Sequence, residues 1–156
     1  AVRAAWPEDL PLCVRLSFED WAEGGFGPDE AIEVARRMRE IGVDLIECSS
    51  AGLVPEEKWD AHPGYQVDFA RRARREAGVA AGAVGVIIDA RQADEIIASG
   101  SADIVILARA LLDDPYWALH AAEALGEKSL WPLPYGRGVQ RLRGFQAMLA
   151  DGSLDA

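Results

Sequence analysis

Cysteine and histidine are scarce in this chain. Two cysteines, Cys13 and Cys48, cannot make a disulfide framework, so a reducing compartment and a cytoplasmic protein are expected. Both stand in apolar runs, Leu12-Cys13-Val14 and Ile46-Glu47-Cys48, and both read as small buried hydrophobes. The two histidines lie far apart and lack metal-ligand spacing. His62 stands in a polar turn before Pro63, and His120 inside a helical pattern, so no metal site is expected. No apolar run approaches the roughly 20 residues of a membrane span, and no signal peptide is read at the start. Low-complexity stretches, a Ser-His-Asp arrangement, a Walker loop and a GxGxxG fingerprint are all missing.

Positive charge is in deficit. Lys plus Arg number 16 against 26 for Asp plus Glu, a net charge of −10. Such a chain is ill suited to bind nucleic acid through its overall field, and anionic membranes would repel it. With 156 residues, half of them hydrophobic, it can bury a real core. The opening Ala1-Val2-Arg3-Ala4-Ala5-Trp6 has no initiator Met and reads as the end of a helix, as in a fragment or a processed chain.

What is there is one alternating pattern. Apolar runs near residues 11–17, 43–50, 79–88 and 103–109 read as four buried strands. Between them lie amphipathic helices. The first opens at Pro28-Asp29-Glu30, turns Ala31, Val34, Ala35, Met38 and Ile41 inward, and stops at Gly42. The second runs from about Tyr65 to Ala77, with Val67, Ala70, Ala73 and Ala77 inward and Gly78 as its stop. A third is capped by Asp89, with Gln92 three places on, and faces Ala93, Ile96 and Ile97 inward. A fourth starts at Asp114-Pro115 and ends near Leu125. The loop over residues 51–63 is long enough to be functional. After Gly126 the Trp131 to Gly138 segment, rich in Pro and Gly, reads as irregular, with a possible helix over residues 139–149 and a frayed end. The expected domains are therefore residues 1–126 and a C-terminal extension over residues 127–156.

Strands alternating with helices imply a parallel sheet with helical crossovers, an α/β fold. Continuous apolar strands fit a sheet covered on both faces. Periodicity leaves two architectures open: a small doubly wound sheet, or half of an eight-stranded βα barrel. Either one gathers ligands at the carboxyl ends of its strands. Three residues stand out there. Gly85, between valines, allows a backbone or a ligand to come close, or is a packing glycine. Arg109 ends an apolar run, where it can meet a phosphate bidentately or pair with Asp113 or Asp114. Arg15 lies inside an apolar run and serves either an ion pair or a ligand. Asp44 and Glu47 face opposite sides of their strand, and Asp44 reads as a contact at the bottom of the sheet.

Five segments then come in a telling order: Val14-Arg15-Leu16-Ser17, Gly42 to Ser50, Pro63-Gly64-Tyr65-Gln66-Val67, Ala83-Val84-Gly85-Val86-Ile87 and Ala108-Arg109-Ala110-Leu111-Leu112-Asp113-Asp114-Pro115. Together they resemble the C-terminal half of the old yellow enzyme family, the FMN-dependent ene-reductases, and within it the thermophilic-like subclass. The resemblance reaches to about Val139. It implies the last four units of a TIM (β/α)8 barrel. It implies that Arg15 meets the pyrimidine side of FMN and that Val84, Gly85, Ala108 and Arg109 bind the FMN phosphate. Arg137, in Tyr135-Gly136-Arg137-Gly138, resembles the arginine that this subclass extends into a neighbouring subunit's active site. The family usually has Gly where Ala108 stands. The family's substrate anchors, proton-donating Tyr and flavin-tuning Cys or Thr belong to its first half, so no catalytic residue is expected here.

The reading that follows is the FMN-binding half of an NAD(P)H-dependent flavin oxidoreductase that reduces activated alkenes. Its expected partners are an N-terminal half or a second copy of the chain, in an oligomer. A structural half-barrel module without turnover stands as the alternative, and another phosphate-binding barrel enzyme as a third.

Overall fold

The computed structural model describes residues 1–52, 55, 57–128 and 131–151. The chain divides into two compact units, Ala1–Pro115 and Tyr116–Ala156. The division thus falls ahead of the fourth long helix rather than behind it.

The first unit holds four strands: β1 (Cys13–Ser17), β2 (Leu45–Ser49), β3 (Ala80–Ala83) and β4 (Ile104–Val105). All neighbours are parallel, and the strand order is β1-β2-β3-β4. A doubly wound sheet reverses its order at a switch point, whereas barrel units follow one another around the sheet. The unbroken order assigns these strands to successive βα units of a (β/α)8 barrel.

The connecting helices form for local reasons. Helix α1 (Val2–Ala5) precedes the sheet. Helix α2 (Pro28–Glu40) has Pro28 in its first turn, where the missing N–H costs nothing, and Asp29 and Glu30 at the positive end of its dipole. Helix α3 (Val67–Arg72) continues as a π-helical turn over Ala73–Ala77 and stops at left-handed Gly78. Helix α4 (Ala90–Ala98) is capped by Asp89, whose carboxylate accepts from the N–H groups of Arg91 and Gln92 at 3.0 Å. Helix α5 (Arg109–Asp113) follows β4.

The core lies between the sheet and its helices. Phe18, Ala31, Ile32, Ala35, Ile46, Cys48, Ala70, Ala73, Ala81 and Ile96 are buried there, and the Phe18 and Phe69 rings stack at 5.6 Å. The expected inward stripes hold in part. Ile96 is buried as expected, but Ile41 and Ile97 are exposed, and Ile32, outside the expected stripe, is buried in the core. Along β1, Val14 and Leu16 pack against the core, so Cys13 and Arg15 take the other face. Cys13 is therefore exposed, contrary to expectation, while Cys48 is buried.

Two strands are shorter than the apolar runs that encode them. β3 ends at Ala83 because Gly85 (φ +110°) and Val86 (φ +50°) leave the extended region. β4 then has only Gly82 and Ala83 as ladder partners, the Ile106 N–H still donates to the Ala83 carbonyl at 2.8 Å, and Arg109 opens a helix instead of ending a strand.

The second unit contains α6 (Trp117–Ala124) and α7 (Leu133–Ala150). The segment expected to be irregular is the beginning of α7, since Pro134 fits a first turn and the glycines follow inside the helix. Within this unit Trp131 packs on Tyr116 and His120, and its indole N–H donates to Glu123 at 2.7 Å. Glu123 also pairs with Arg143.

Candidate functional site

The carboxyl ends of the strands surround a cavity of about 350 Å³ in the first unit. Arg15, Val84, Gly85, Ala108 and Arg109 all line it. The five positions singled out in the sequence for one ligand thus converge, although they come from three βα units. Arg137 is carried by α7 of the second unit, where it is exposed.

Arg15 reaches along the sheet toward β2. Its Nη1 donates to Glu47 Oε1 at 2.6 Å, and its Nη2 donates to Ser49 Oγ at 2.8 Å. Arg15 and Glu47 stand opposite each other in the β1–β2 register. The open alternative between ion pair and ligand contact is not exclusive: the pair forms, yet 61% of the Arg15 side chain remains accessible. Arg109, by contrast, enters no ion pair among the described residues, so its guanidinium fork is available for an anion.

Gly85 is needed by geometry. At φ +110° an L side chain is strained, and a Cβ there would lie 2.8 Å from Gln66 Oε1 and 3.1 Å from Tyr65 Cε1. Gly64 N–H donates to the Gly85 carbonyl at 2.9 Å, so the residue 64–66 turn crosses directly over the end of β3. Ala108 has φ −119°, on the negative side where L residues stand, so this position does not require a glycine by the sign of φ.

Four further polar residues of the cavity escaped the sequence reading as site residues: Ser49, Ser50, Tyr65 and Gln66. Gln66 is 3% exposed, and its Nε2 donates to Ser50 Oγ at 2.6 Å and to the Ser50 carbonyl at 3.3 Å. The bond ties the end of β2 to the turn over β3. Trp59 stacks on Tyr65 at 5.1 Å, and His62 meets it edge-on at 6.1 Å. Burial pushes the Tyr65 hydroxyl above its ordinary value, against the opposing pull of Arg109, a hydrogen bond with Ser50 and the charge of Arg15. The signal for Tyr65 and Gln66 lay in the Pro63 to Val67 segment, and that for Ser49 and Ser50 in the Gly42 to Ser50 segment; both carried resemblance but no assigned chemistry.

The arrangement is a cationic site with hydroxyl and amide groups on its walls. Among the described residues no cluster of His, Cys, Asp and Glu could hold a metal ion, and no helix is long and apolar enough to cross a membrane.

Comparison with known proteins bears on what such a site serves. Residues 1–128 match the sequence pattern of the NADH:flavin oxidoreductase / NADH oxidase family. An NADPH dehydrogenase of Geobacillus thermodenitrificans (strain NG80-2) is 46% identical over 138 residues, which cover 88% of this chain and 40% of that protein. The NADPH dehydrogenases of Listeria innocua serovar 6a (strain ATCC BAA-680 / CLIP 11262) and Bacillus subtilis (strain 168) are 45% and 43% identical over 137 residues, with the same coverage. The chain spans about 40% of the length of these curated relatives. A match this long to the family pattern, on a parallel βα sheet with its cationic cavity at the strand ends, establishes that the chain belongs to the NADH:flavin oxidoreductase / NADH oxidase family.

Proposed function

We propose that this chain supplies the FMN-binding half of an NAD(P)H-dependent flavin oxidoreductase that reduces activated C=C bonds. The observation that carries the reading is the convergence of Arg15, Val84, Gly85, Ala108 and Arg109 on one cavity.

The residues fit a flavin mononucleotide by their chemistry. Arg109 offers a planar fork without a carboxylate partner among the described residues, suited to bidentate contact with a phosphate. Ala108 and Ala110 line the cavity where α5 begins, and the first N–H groups of a helix have no partner within it. The left-handed Gly85 lets the backbone of β3 end close beneath the same space. A cavity of about 350 Å³ is at the small end of ligand sites, enough for the phosphate end of the cofactor. Arg15 would hold the pyrimidine side, with its charge favouring the reduced, more negative form. When bound, FMN supplies hydride transfer from NAD(P)H to the alkene. The residues of this chain bind and orient it, and they carry no assigned proton donor or substrate anchor.

Those missing groups call for more polypeptide. The face of the sheet that bears Cys13 and Arg15 is exposed, as is Ile104 on β4. We infer that an N-terminal half barrel, or a second copy of the chain, covers this face, and that Arg137 serves a neighbouring subunit's site. Two unpaired cysteines fit a cytoplasmic setting.

The test is to release the chromophore from the assembled protein and identify it by chromatography, then to follow NAD(P)H oxidation with cyclohexenone. FMN and enone-dependent turnover are expected. An assembled protein that carries FAD, or no flavin, sinks the reading.

A further inference from the structure

Arg15 is the one cavity-lining cation that is already paired among the described residues, and its partner has no role in the function proposed above. Glu47 stands opposite it in register, on the neighbouring strand. Their contact is short, 2.6 Å, and Glu47 is far less exposed than Arg15, 19% against 61%. Ser49 takes the other terminal nitrogen at 2.8 Å. Both ends of the guanidinium fork are thus fixed from β2. An arginine has five N–H donors, so this leaves donors free for a ligand while setting the plane in which they lie.

The pair also divides a charge. A carboxylate in contact with a guanidinium cancels much of its field at a distance. Arg15 therefore presents its donors at the cavity with an attenuated positive charge. Full positive charge at this point would favour a more negative ligand. An attenuated one leaves the balance between the two charge states of a ligand adjustable.

We propose that Glu47 is a positioning residue that acts through Arg15: it holds the guanidinium in place and lowers the positive charge shown to a flavin, so that it sets the flavin's reduction potential downward. This rests on the flavin reading above. Glu47 is not assigned to touch the cofactor.

The experiment measures the midpoint potential of FMN in the flavin-loaded enzyme that contains this chain. Four proteins are compared: wild type, Glu47→Gln, Arg15→Gln and the double variant. Glu47→Gln keeps the side chain's shape and an acceptor for Arg15 but removes the charge. It is expected to favour the reduced over the oxidised flavin by about tenfold, which is a rise of about 30 mV for a two-electron couple. Arg15→Gln is expected to lower the potential. The double variant is expected to match Arg15→Gln, because Glu47 has nothing left to act through. Glu47→Asp keeps the charge and should hold the potential near the wild-type value, which a packing role alone would not ensure. An unchanged potential in Glu47→Gln overturns the proposal. So does an equal rise in the Arg15→Gln background, which would make Glu47 act on the flavin directly. Both results leave FMN binding intact. A protein that binds no FMN instead overturns the flavin reading, and this proposal with it.

Discussion

Asp44 and Asp103 occupy equivalent places at the foot of the sheet, and each closes a two-way bond with the strand before its own. Asp44 N–H donates to the Leu12 carbonyl at 2.9 Å, and its carboxylate accepts the Leu12 N–H at 2.8 Å. Asp103 N–H donates to the Ala81 carbonyl at 2.8 Å, and its carboxylate accepts the Ala81 N–H at 2.8 Å. Each also holds an arginine, Arg3 for Asp44 at 3.5 Å and Arg74 for Asp103 at 2.8 Å. The device recurs two βα units apart and secures the end of the sheet opposite the cavity.

The two positions should differ in cost. The Asp103 bond to Ala81 is partly buried and its arginine is held closely, whereas the Asp44 bond is exposed. Asp103→Ala leaves the Ala81 N–H without its acceptor, a loss of about 1–3 kcal/mol. Asp44→Ala should cost about 1 kcal/mol or less, since water can replace the carboxylate. Urea unfolding of the two variants checks the order, and equal midpoints would contradict it.

Gly42-Val43-Asp44 and Gly100-Ser101-Ala102-Asp103 each put a helix stop and an acid before a strand, and the sequence marked Asp44, though not Asp103, as a contact at the bottom of the sheet. The parallel α/β class was legible because apolar runs and amphipathic stretches alternate. Strand ends were not. An apolar run such as residues 79–88 continues past Ala83, but pairing stops where Gly85 and Val86 turn left-handed. Nor could local periodicity place Tyr65 and Gln66 in the cavity. They arrive by a turn that crosses β3, held through Gly64, Gly85 and Ser50, and a contact of that kind has no signature within a window of sequence. The side of the sheet that Arg15 takes was open for the same reason, since both its neighbours along the strand are apolar. Glu47 opposite it, and the core packing of Val14 and Leu16, decide the matter.

Arg109 should discriminate between ligands with and without phosphate. Its guanidinium lines the cavity and enters no ion pair among the described residues. Arg109→Ala removes a charge-assisted contact of roughly 1.5–3 kcal/mol, on the order of tenfold to a hundredfold in FMN affinity. Riboflavin, which lacks the phosphate, should bind equally well to the variant and the wild type. Fluorescence titrations of the assembled protein with both ligands give the answer, and an unchanged FMN affinity would remove Arg109 from the phosphate site.

The two thiols should behave differently. Burial pushes the Cys48 thiol up to about 12, and the neighbouring Glu47 adds to the shift. Cys13 is exposed. A thiol reagent at pH 8 should therefore label Cys13 quickly as long as its sheet face is uncovered, and Cys48 only on unfolding. The sign for stability follows from the same shift. The folded state holds the Cys48 proton more tightly than the unfolded chain does, whose thiol sits near 9.0. Its contribution is fully present below about pH 9 and is lost as pH rises from there toward 12. Cys48→Ala should flatten the alkaline limb of a stability profile over that window. Immediate labelling of both thiols in the native protein would argue against a sealed core at β2.

What this chain does alone is the most direct test of its place in a larger barrel. The groups assigned to it are the phosphate grip around Gly85, Ala108 and Arg109 and the cation of Arg15, which 61% exposure leaves open on the sheet face. No residue among them anchors an enone carbonyl or delivers a proton to carbon. General acid catalysis contributes about 10²–10⁴-fold, and orientation of the reactants can contribute more. An exposed sheet face and an edge strand as short as Ile104–Val105 also invite pairing. The isolated chain is therefore expected to self-associate, to bind FMN weakly or not at all, and to show negligible reduction of cyclohexenone. Adding a polypeptide that supplies the first four βα units should restore flavin binding and turnover together, since both depend on closing the same barrel. Size-exclusion chromatography, flavin absorbance and NAD(P)H oxidation, each measured before and after the addition, follow the three effects. Full turnover by the chain alone would place catalytic groups within these residues and refute the division of labour.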